Sequence, residues 1–299
     1  MPVSRPRPPA LEVLDPGLLA LLQDLGRPGH MAVGVGRSGA ADRASHSLGA
    51  RLLGNPEHAA SIEATLGGLR VRAHGTLLLC LTGATAPATV AGRPVAHASP
   101  FVLRDGHELS LGMPSAGLRT YLSVRGGLAV DPVLGSRATD LLAGLGPAAL
   151  SAGTVLPVGP PPGEHPPLDV APVASPSAGP VVLSLTPGPR YDWFAGPEAL
   201  ARTTWTVSGR SDRTGIRLEG PPLQRHPRYA DAELPSEGMV RGAVQVPPSG
   251  EPVLLLNDHP VTGGYPVVGV VRAADVDRAA QLTPGQHVRL RWERAPRLG

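Results

Sequence analysis

The sequence contains no lysine, and all 27 of its basic residues are arginine. Sites that depend on a lysine side chain are therefore excluded. A P-loop needs a lysine on the nucleotide phosphates, and Schiff-base and pyridoxal-phosphate enzymes need a lysine amine. Biotin and lipoate are attached to lysine, so this chain cannot carry either group. A Ser-Ser-Lys amidase site is excluded for the same reason.

Cysteine is nearly absent as well. The single cysteine, Cys80, excludes an internal disulfide, and its place in the apolar run TLLLCLTG predicts a buried rather than a reactive thiol. The N-terminal residues lack the apolar core of a signal peptide, and no early apolar run is long enough to cross a bilayer. We therefore expect a cytoplasmic protein with no membrane partner.

Charge and aromatic content exclude further classes. The formal net charge is only +3, the arginines are scattered, and aromatic residues make up 3% of the chain. These features do not indicate a nucleic-acid partner. The ten histidines follow no metal-ligand spacing, so no metal site is predicted.

Glycine and proline are abundant, with 38 and 36 of the 299 residues. Both interrupt helices, so a mainly β protein of short strands and turns is expected. Residues 159–180 are dense in proline and predict a linker. The predicted organisation is a disordered N-terminus over residues 1–10, a first domain over 11–158 and a second over 181–293.

Local patterns predict several elements. Residues 42–53 predict a helix capped by Asp42. Strands at 101–103 and 108–111 flank an Asp-Gly pair, which predicts a hairpin. A second hairpin is predicted where strands near residues 244–246 and 253–256 flank PPSGEP. Residues 287–292 alternate between polar and apolar side chains, which predicts a half-buried strand.

Three signals occur in the same order in both halves of the chain, at nearly one offset, which predicts an internal duplication. The two copies of S-G-x-x-D-R would then mark equivalent corners of two domains. The paired signals are VLDPG and SLTPG (13–17 and 184–188), SGAADR and SGRSDR (38–43 and 208–213), and LRDGHELSL and LTPGQHVRL (103–111 and 282–290).

Three polar stretches are candidates for chemistry. QDLGRPGH, residues 23–30, either holds a small polar ligand or forms a turn with an internal ion pair. Each S-G-x-x-D-R box either leaves its arginine free for an anion or closes on itself as a capped turn. NDHPVTGGYP, residues 257–266, places paired glycines between two apolar strands, where backbone N–H groups could face an oxyanion.

Ten ordered motifs resemble one family over nearly the whole chain: the C subunit of 5-oxoprolinase, also called the biotin-dependent carboxyltransferase or KipA family. The matching stretches are GLLALLQDLGRPGH, SGAADR, LLGNPE, IEATLGG, LTGA, YLSVRGG, LGSRAT, SDRTGIRLEGP, SEGMVRGAVQVPPSGEP and TGGYP. The chain departs from the family pattern at Pro260-Val261 and at Thr214 and Ile216, which leaves the substrate open.

The resemblance implies a fold, an activity and partners. The implied fold is two tandem cyclophilin-like β-barrels. The implied activity is that of a 5-oxoprolinase component, a hydrolase. Together with the A subunit and the KipI-like B subunit of that enzyme, it would hydrolyse 5-oxoproline to glutamate at the expense of ATP. No cofactor would be covalently bound to this chain.

Two alternatives to the hydrolase stay open. One is a carboxyltransferase component acting on a urea-like amide with biotin carried in trans. The other is a KipA-like regulator that binds KipI. The absence of lysine fits the hydrolase and the carboxyltransferase equally, since neither a nucleotide loop nor a biotin carrier would lie in this chain.

The resemblance also implies site residues. Asp258, Thr262 and Asp212 are the predicted catalytic residues, with Asp258 as acid/base or water-orienting group. Arg27 or Arg213 would bind the substrate carboxylate with two hydrogen bonds, and the amides of Gly263 and Gly264 would steady an oxyanion. The residues predicted to bind substrate are Gln23, Asp24, Arg27, Ser208, Arg213, Gly263, Gly264 and Tyr265.

Overall fold

The structure is a computed structural model, and it describes residues 8–293. Within that range the chain forms short strands and three short α-helices. The strands of the first half are β1 (Ala10–Pro16), β2 (Leu19–Gln23), β3 (Ser61–Thr65), β4 (Leu69–His74), β5 (Leu77–Gly83), β6 (Ala88–Val90), β7 (Arg93–Pro94), β8 (Phe101–Leu103), β9 (Glu108–Leu111), β10 (Arg119–Val124) and β11 (Val155–Pro157). None of the described helices is long and apolar enough to cross a membrane.

The second half contributes the remaining strands, and three helices complete the element list. The strands are β12 (Val181–Pro187), β13 (Thr204–Val207), β14 (Gly215–Glu219), β15 (Glu237–Gly238), β16 (Ala243–Gln245), β17 (Val253–Leu255), β18 (Thr262–Gly263), β19 (Val267–Val271) and β20 (His287–Trp292). The helices are α1 (Arg43–Leu52), α2 (Ala199–Arg202) and α3 (Ala273–Ala279).

The contacts divide the described chain into two units. The first unit comprises residues 8–27, 42–139 and 144–176, and the second comprises 28–41, 140–143 and 177–293. Two short segments of the first half therefore belong to the second unit. The predicted domain bounds stay predictions. Of the predicted disordered N-terminus, residues 1–7 lie outside the described residues, and Ala10 already begins β1.

The first unit is built from two sheets. Their strand orders are β11-β1-β4-β9-β6-β7 and β2-β3-β10-β5-β8. Side chains from both sheets form one apolar core that contains, among others, Leu11, Leu22, Ile62, Val71 and Leu122. In strands, successive side chains point to opposite faces, so this core takes one face of each strand and leaves the other face for different contacts.

The second unit contains a closed barrel. Its strand order is β12-β19-β16-β17-β14-β13-β20, and the parallel pair β12–β20 closes it. Trp205, Val244 and Val288 are fully buried in its core. The prediction of a mainly β protein with a barrel is confirmed. The strand orders of the two units are not the same, so the duplication is not visible in the sheet topology.

Several local predictions are confirmed. Asp42 is the N-cap of α1, and its carboxylate accepts the backbone N–H of Ser45. β16 and β17 pair as the predicted hairpin. In β20, Val288 and Leu290 are buried while the residue between them is exposed.

The hairpin predicted over residues 101–111 is wrong. Both strands and the turn at Gly106 exist, but β8 pairs with β5 in one sheet and β9 pairs with β4 and β6 in the other. The turn at Gly106 therefore carries the chain from one sheet to the other.

The predicted linker is held along the first unit up to residue 176. Arg125 donates from Nη2 to the carbonyl oxygens of Pro162 and Gly163, at 3.2 and 2.6 Å. Farther along, the N–H of Ala171 donates to the carbonyl of Ala98 at 2.8 Å. These contacts make residues 159–176 a docked segment of the first unit.

Candidate functional site

The structure places the predicted site residues in both units. Gln23, Asp24 and Arg27 lie in the first unit. The second unit holds Ser208, Asp212, Arg213, Asp258, Thr262, Gly263, Gly264 and Tyr265.

The three first-unit residues form one buried cluster against residues 136–139. The carboxylate of Asp24 accepts the hydroxyl of Ser136 at 2.7 Å and the backbone N–H of Arg137 at 2.6 Å. Gln23 donates from Nε2 to the carbonyl of Thr139 at 2.9 Å, and Arg27 donates to the carbonyl of Ala138. All three predicted residues are buried. These hydrogen bonds hold the end of β2 and the residues after it against residues 136–139.

A layer of buried polar side chains lies on the same sheet. The apolar core occupies one face of β2, β3 and β10, and α1 packs against the sheet at β5 and β10. The polar side chains on the opposite face are at most 4% exposed. The layer consists of Gln23, Ser61, Glu63, Arg119, Tyr121 and Ser123, with His46 on α1.

His46 lies in this layer and is 0% exposed. Its Nε2 is 3.0 Å from the carbonyl oxygen of Glu57, which can only accept, so Nε2 carries the proton. Its Nδ1 then accepts the hydroxyl of Ser61 at 2.9 Å. Burial lowers the pKa of His46, an effect only partly opposed by the hydrogen bond to Glu57. The neutral ring therefore satisfies both partners.

Tyr121 and Glu63 continue the layer. The Tyr121 hydroxyl donates to Glu63 at 2.8 Å and accepts the backbone N–H of Asp42 at 2.8 Å. Arg119 forms an ion pair with Glu63 at 3.5 Å. Burial raises the pKa of Tyr121 well above its usual value, and the charges of Glu63 and Asp42 raise it further. The phenol thus stays protonated and links α1 to the sheet.

In the second unit, Arg213 and Asp258 form a buried two-point ion pair. Arg213 donates from Nε to Oδ2 of Asp258 at 2.9 Å and from Nη2 to Oδ1 at 3.0 Å. The two residues are 4% and 2% exposed. The edge of the guanidinium that would grip a substrate carboxylate is therefore already occupied by Asp258.

Ser208 and Asp212 shape the turn that leads into β14. Oδ1 of Asp212 accepts the N–H groups of Thr214 and Gly215 at 2.7 and 3.1 Å. The hydroxyl of Ser208 accepts the N–H of Arg210 at 3.3 Å. In the first S-G-x-x-D-R box the aspartate begins a helix, whereas here it caps a turn before a strand, so the two boxes differ locally.

The glycine loop, residues 262–265, lies largely at the surface of the second unit. Thr262 and Gly263 form β18, which pairs with β15. A Cβ on Gly263 would lie 2.6 Å from Nε2 of Gln245, so a larger residue here would require the end of that side chain to move. Thr262, Gly264 and Tyr265 are exposed, Tyr265 by 47%. Their catalytic and binding roles stay predictions.

Other features of the first unit include a cavity of about 410 Å³ with no carboxylate or guanidinium in its lining. Burial lowers the pKa of His97, which lies on its wall, and none of the predicted site residues lines it.

Within residues 8–293, no three His, Cys, Asp or Glu side chains gather as a metal site would require. Burial raises the pKa of the Cys80 thiol to about 12.

Sequence reasoning missed Asn257 and Arg241. Asn257 donates from Nδ2 to the carbonyl of Ala40 at 2.7 Å, and Arg241 donates from Nη2 to the carbonyl of Ala41 at 2.8 Å. The polar stretch that contains Asn257 is a candidate site by sequence. Its partner is a backbone carbonyl, however, and every residue type has one, so the sequence does not show the contact. Arg241 in the motif SEGMVRG is the one available signal.

The family model for the carboxyltransferase domain, subdomain A and B, matches residues 33–292. The chain belongs to this family. It is 35% identical to the 5-oxoprolinase C subunit of Escherichia coli, over 93% of this chain and 89% of that protein. The resemblance seen in the ten motifs is thereby confirmed.

Two solved structures share the fold. The crystal structure of TTHA0988 matches 96% of this chain at 34% identity with a TM-score of 0.85. The crystal structure of the K. lactis urea amidolyase matches 96% at 29% identity with a TM-score of 0.90. The chain spans 56% of the former and 19% of the latter. In both proteins this fold is therefore one part of a longer chain.

Proposed function

We propose that this chain is a component of an ATP-dependent 5-oxoprolinase, which hydrolyses 5-oxoproline to glutamate. The observation that carries the proposal is the match to the C subunit of the E. coli enzyme over nearly the full length of both chains. The A subunit and the KipI-like B subunit of 5-oxoprolinase are the proposed partners, and the complex would work in the cytoplasm.

The reaction opens a lactam. Water adds its hydroxyl to the ring carbonyl carbon, the C–N bond breaks, and the nitrogen takes a proton. The ATP is proposed to bind to a partner, and the absence of lysine, which excludes a P-loop from this chain, supports that assignment. Thr262, Gly264 and Tyr265 of the glycine loop, together with Asp212, are the exposed residues of the predicted site, and contact with a substrate requires such exposure.

A second function is favoured by the match to urea amidolyase. In that case the chain would be a carboxyltransferase component that receives a carboxyl group from biotin and passes it to a urea-like amide. The biotin would be carried in trans, because this chain has no lysine to hold it.

The first experiment measures ADP release and glutamate formation from 5-oxoproline. The chain alone, the two partners alone and the three together are compared, each with and without avidin. We expect turnover only in the complete mixture, with glutamate and ADP rising together and no effect of avidin.

Inhibition by avidin would favour the biotin-dependent function. A complex that forms but turns over neither 5-oxoproline nor urea with bicarbonate and a biotin carrier would contradict both enzymatic proposals and leave the KipI-binding regulator. Tyr265→Phe tests the loop, with Tyr229→Phe as the control outside it. We expect Tyr265→Phe alone to lower kcat.

A further inference from the structure

Four consecutive backbone carbonyls of the second unit are bound by side chains. They belong to residues 38–41, the S-G-A-A of the first box, which are buried. The contacts are Asn257 Nδ2 to Ser38 at 3.4 Å, Arg213 Nη2 to Gly39 at 2.6 Å, Asn257 Nδ2 to Ala40 at 2.7 Å, and Arg241 Nη2 to Ala41 at 2.8 Å.

Regular secondary structure does not satisfy these carbonyls. Residues 38–41 belong to none of the described helices or strands. A buried carbonyl without a partner costs free energy, so a buried irregular segment needs donors from elsewhere. Three side chains of the second unit, Asn257, Arg213 and Arg241, supply those donors.

Asp258 adds a side-chain contact to this segment. The Ser38 hydroxyl donates to Oδ1 of Asp258 at 2.7 Å. Ser38 and Gly39 have φ angles of 52° and 92°, a left-handed turn that costs free energy for serine. The contact between Ser38 and Asp258 therefore holds the backbone in a conformation that the segment would not keep by itself.

The side chains that bind the segment are themselves fixed. Arg241 donates to Oδ1 of Asn257 at 2.7 Å and to Asp277 at 2.6 Å. Arg213 is fixed by Asp258 through two hydrogen bonds. Each donor thus has a second partner that sets its direction, and the charges of both arginines are balanced by aspartates.

Both oxygens of Asp258 are used in this arrangement. Oδ1 accepts from Arg213 and Ser38, and Oδ2 accepts from Arg213 and, at 3.4 Å, from the backbone N–H of Leu141. A general acid or base needs an oxygen that can reach the substrate proton. Four donors on a carboxylate that is 2% exposed leave none.

We propose that Asn257, Asp258, Arg213 and Arg241 form a clamp whose ligand is the chain's own segment, residues 38–41. Asp258 and Arg213 are then positioning residues, not groups that touch substrate. The clamp stands on the contacts alone, whereas its consequence for turnover rests on the proposed function.

Hydrogen–deuterium exchange tests the clamp on the full chain without any substrate. Asn257→Ala removes the donor to two carbonyls, and we expect exchange of the peptide covering residues 35–41 to rise at least about tenfold. Ser38→Ala removes the hydrogen bond from the hydroxyl to Asp258 and should raise the exchange about fivefold. Exchange in β19 and β20 should stay slow, which shows that the barrel is still folded.

Arg210→Ala is the matched control, because Arg210 lies in the same S-G-R-S-D-R loop but is exposed and pairs with Glu251. It should leave exchange of residues 35–41 unchanged. Unchanged exchange in both Asn257→Ala and Ser38→Ala would overturn the clamp. If Asn257→Ala fails to fold, Ser38→Ala alone decides.

Turnover by the complete complex tests the positioning role. Asp258→Asn keeps the shape of the side chain, so we expect a lower kcat with the same pH dependence as the unaltered protein. Loss of one limb of the pH profile would instead make Asp258 an acid or base and refute the positioning role. If the unaltered complex shows no 5-oxoproline turnover, the proposed function fails while the exchange result still decides the clamp.

Discussion

His46 gives the structure a stability that depends on pH. The ring is fully buried, its Nε2–H donates to Glu57 and its Nδ1 accepts from Ser61. Protonation would turn Nδ1 into a donor and place a charge among buried groups. We therefore expect acid to destabilise the first unit through this one residue.

The direction of the pKa shift decides whether stability falls toward acid or toward alkaline pH. Burial lowers the pKa of folded His46 below 6.5, the value of an unperturbed histidine. Below pH 6.5 the unfolded chain therefore binds more protons than the folded chain. The contribution of His46 is complete above about pH 6.5 and is lost progressively as the pH falls toward the folded pKa. If the folded ring stays neutral, the loss between about pH 8 and pH 5 reaches about 2 kcal/mol.

His46→Gln is the variant that isolates this effect. A glutamine amide can still donate to Glu57 but does not titrate. At about pH 8 we expect the variant to be less stable by about 1 kcal/mol, the usual contribution of one hydrogen bond. Between about pH 8 and pH 5 the unaltered protein loses up to about 2 kcal/mol through His46, whereas the variant loses none at this position. At about pH 5 the difference in stability between the two proteins should therefore vanish or reverse.

The assay is urea unfolding at about pH 8, 6.5 and 5, followed by far-UV circular dichroism. Tryptophan fluorescence serves as an internal reference, because Trp193, Trp205 and Trp292 all lie in the second unit. His58→Gln is the control, since it removes an exposed imidazole near α1 without opening the buried layer. A stability difference between His46→Gln and the unaltered protein that is the same at every pH would refute the reasoning.

Two further predictions concern single positions in the first unit. Because burial raises the pKa of the Cys80 thiol to about 12, we expect the folded chain to react with a maleimide at about pH 8 at least about a hundredfold more slowly than the chain in urea; equal rates would contradict the buried thiol. A Cβ on Gly67 would overlap the carbonyl of Gly112, and its φ of 73° disfavours other residues, so Gly67→Ala should cost about 2–5 kcal/mol in urea unfolding. Gly106→Ala is its control: φ is 72° but no atom lies within 4 Å, so it should cost only about 1–2 kcal/mol.

Local signals predicted the elements whose partners are close in sequence. Asp42 caps α1 because a carboxylate at a helix start accepts free N–H groups. β16 and β17 pair because only a short turn separates them. Helix α3 was missed because its N-cap, Arg272, makes no side-chain cap, and Asp275 in its first turn is a weak start signal by itself.

Distant partners decide the features that local signals do not predict. The Asp105-Gly106 turn predicted a hairpin, but β8 and β9 pair with strands of different sheets. Alternation in β3 and β10 is typical of strands with one solvent-facing side, yet Glu63 and Tyr121 are buried. Whether a helix covers the polar face of a strand depends on contacts with distant residues, and the sequence of the strand alone does not show them.

The candidate site shows the same limit. The motifs located Asp258 and Arg213, but polar residues near glycines fit both catalysis and backbone binding. Only the distances show that both oxygens of Asp258 are occupied. The partners of Arg213 and Asn257 include carbonyls of Gly39 and Ala40, and any residue type supplies a carbonyl.

The repeated box S-G-x-x-D-R gains a physical explanation from these contacts. Arg213, the last residue of the second box, donates to the carbonyl of Gly39 in the first box. The first box offers backbone and a hydroxyl as ligand, whereas the second box supplies a cation that binds it. Two similar sequences thus play opposite roles at one place in the second unit. Exchanging the boxes should therefore fail, because arginine and serine would replace Ala40 and Ala41 at positions that are fully buried.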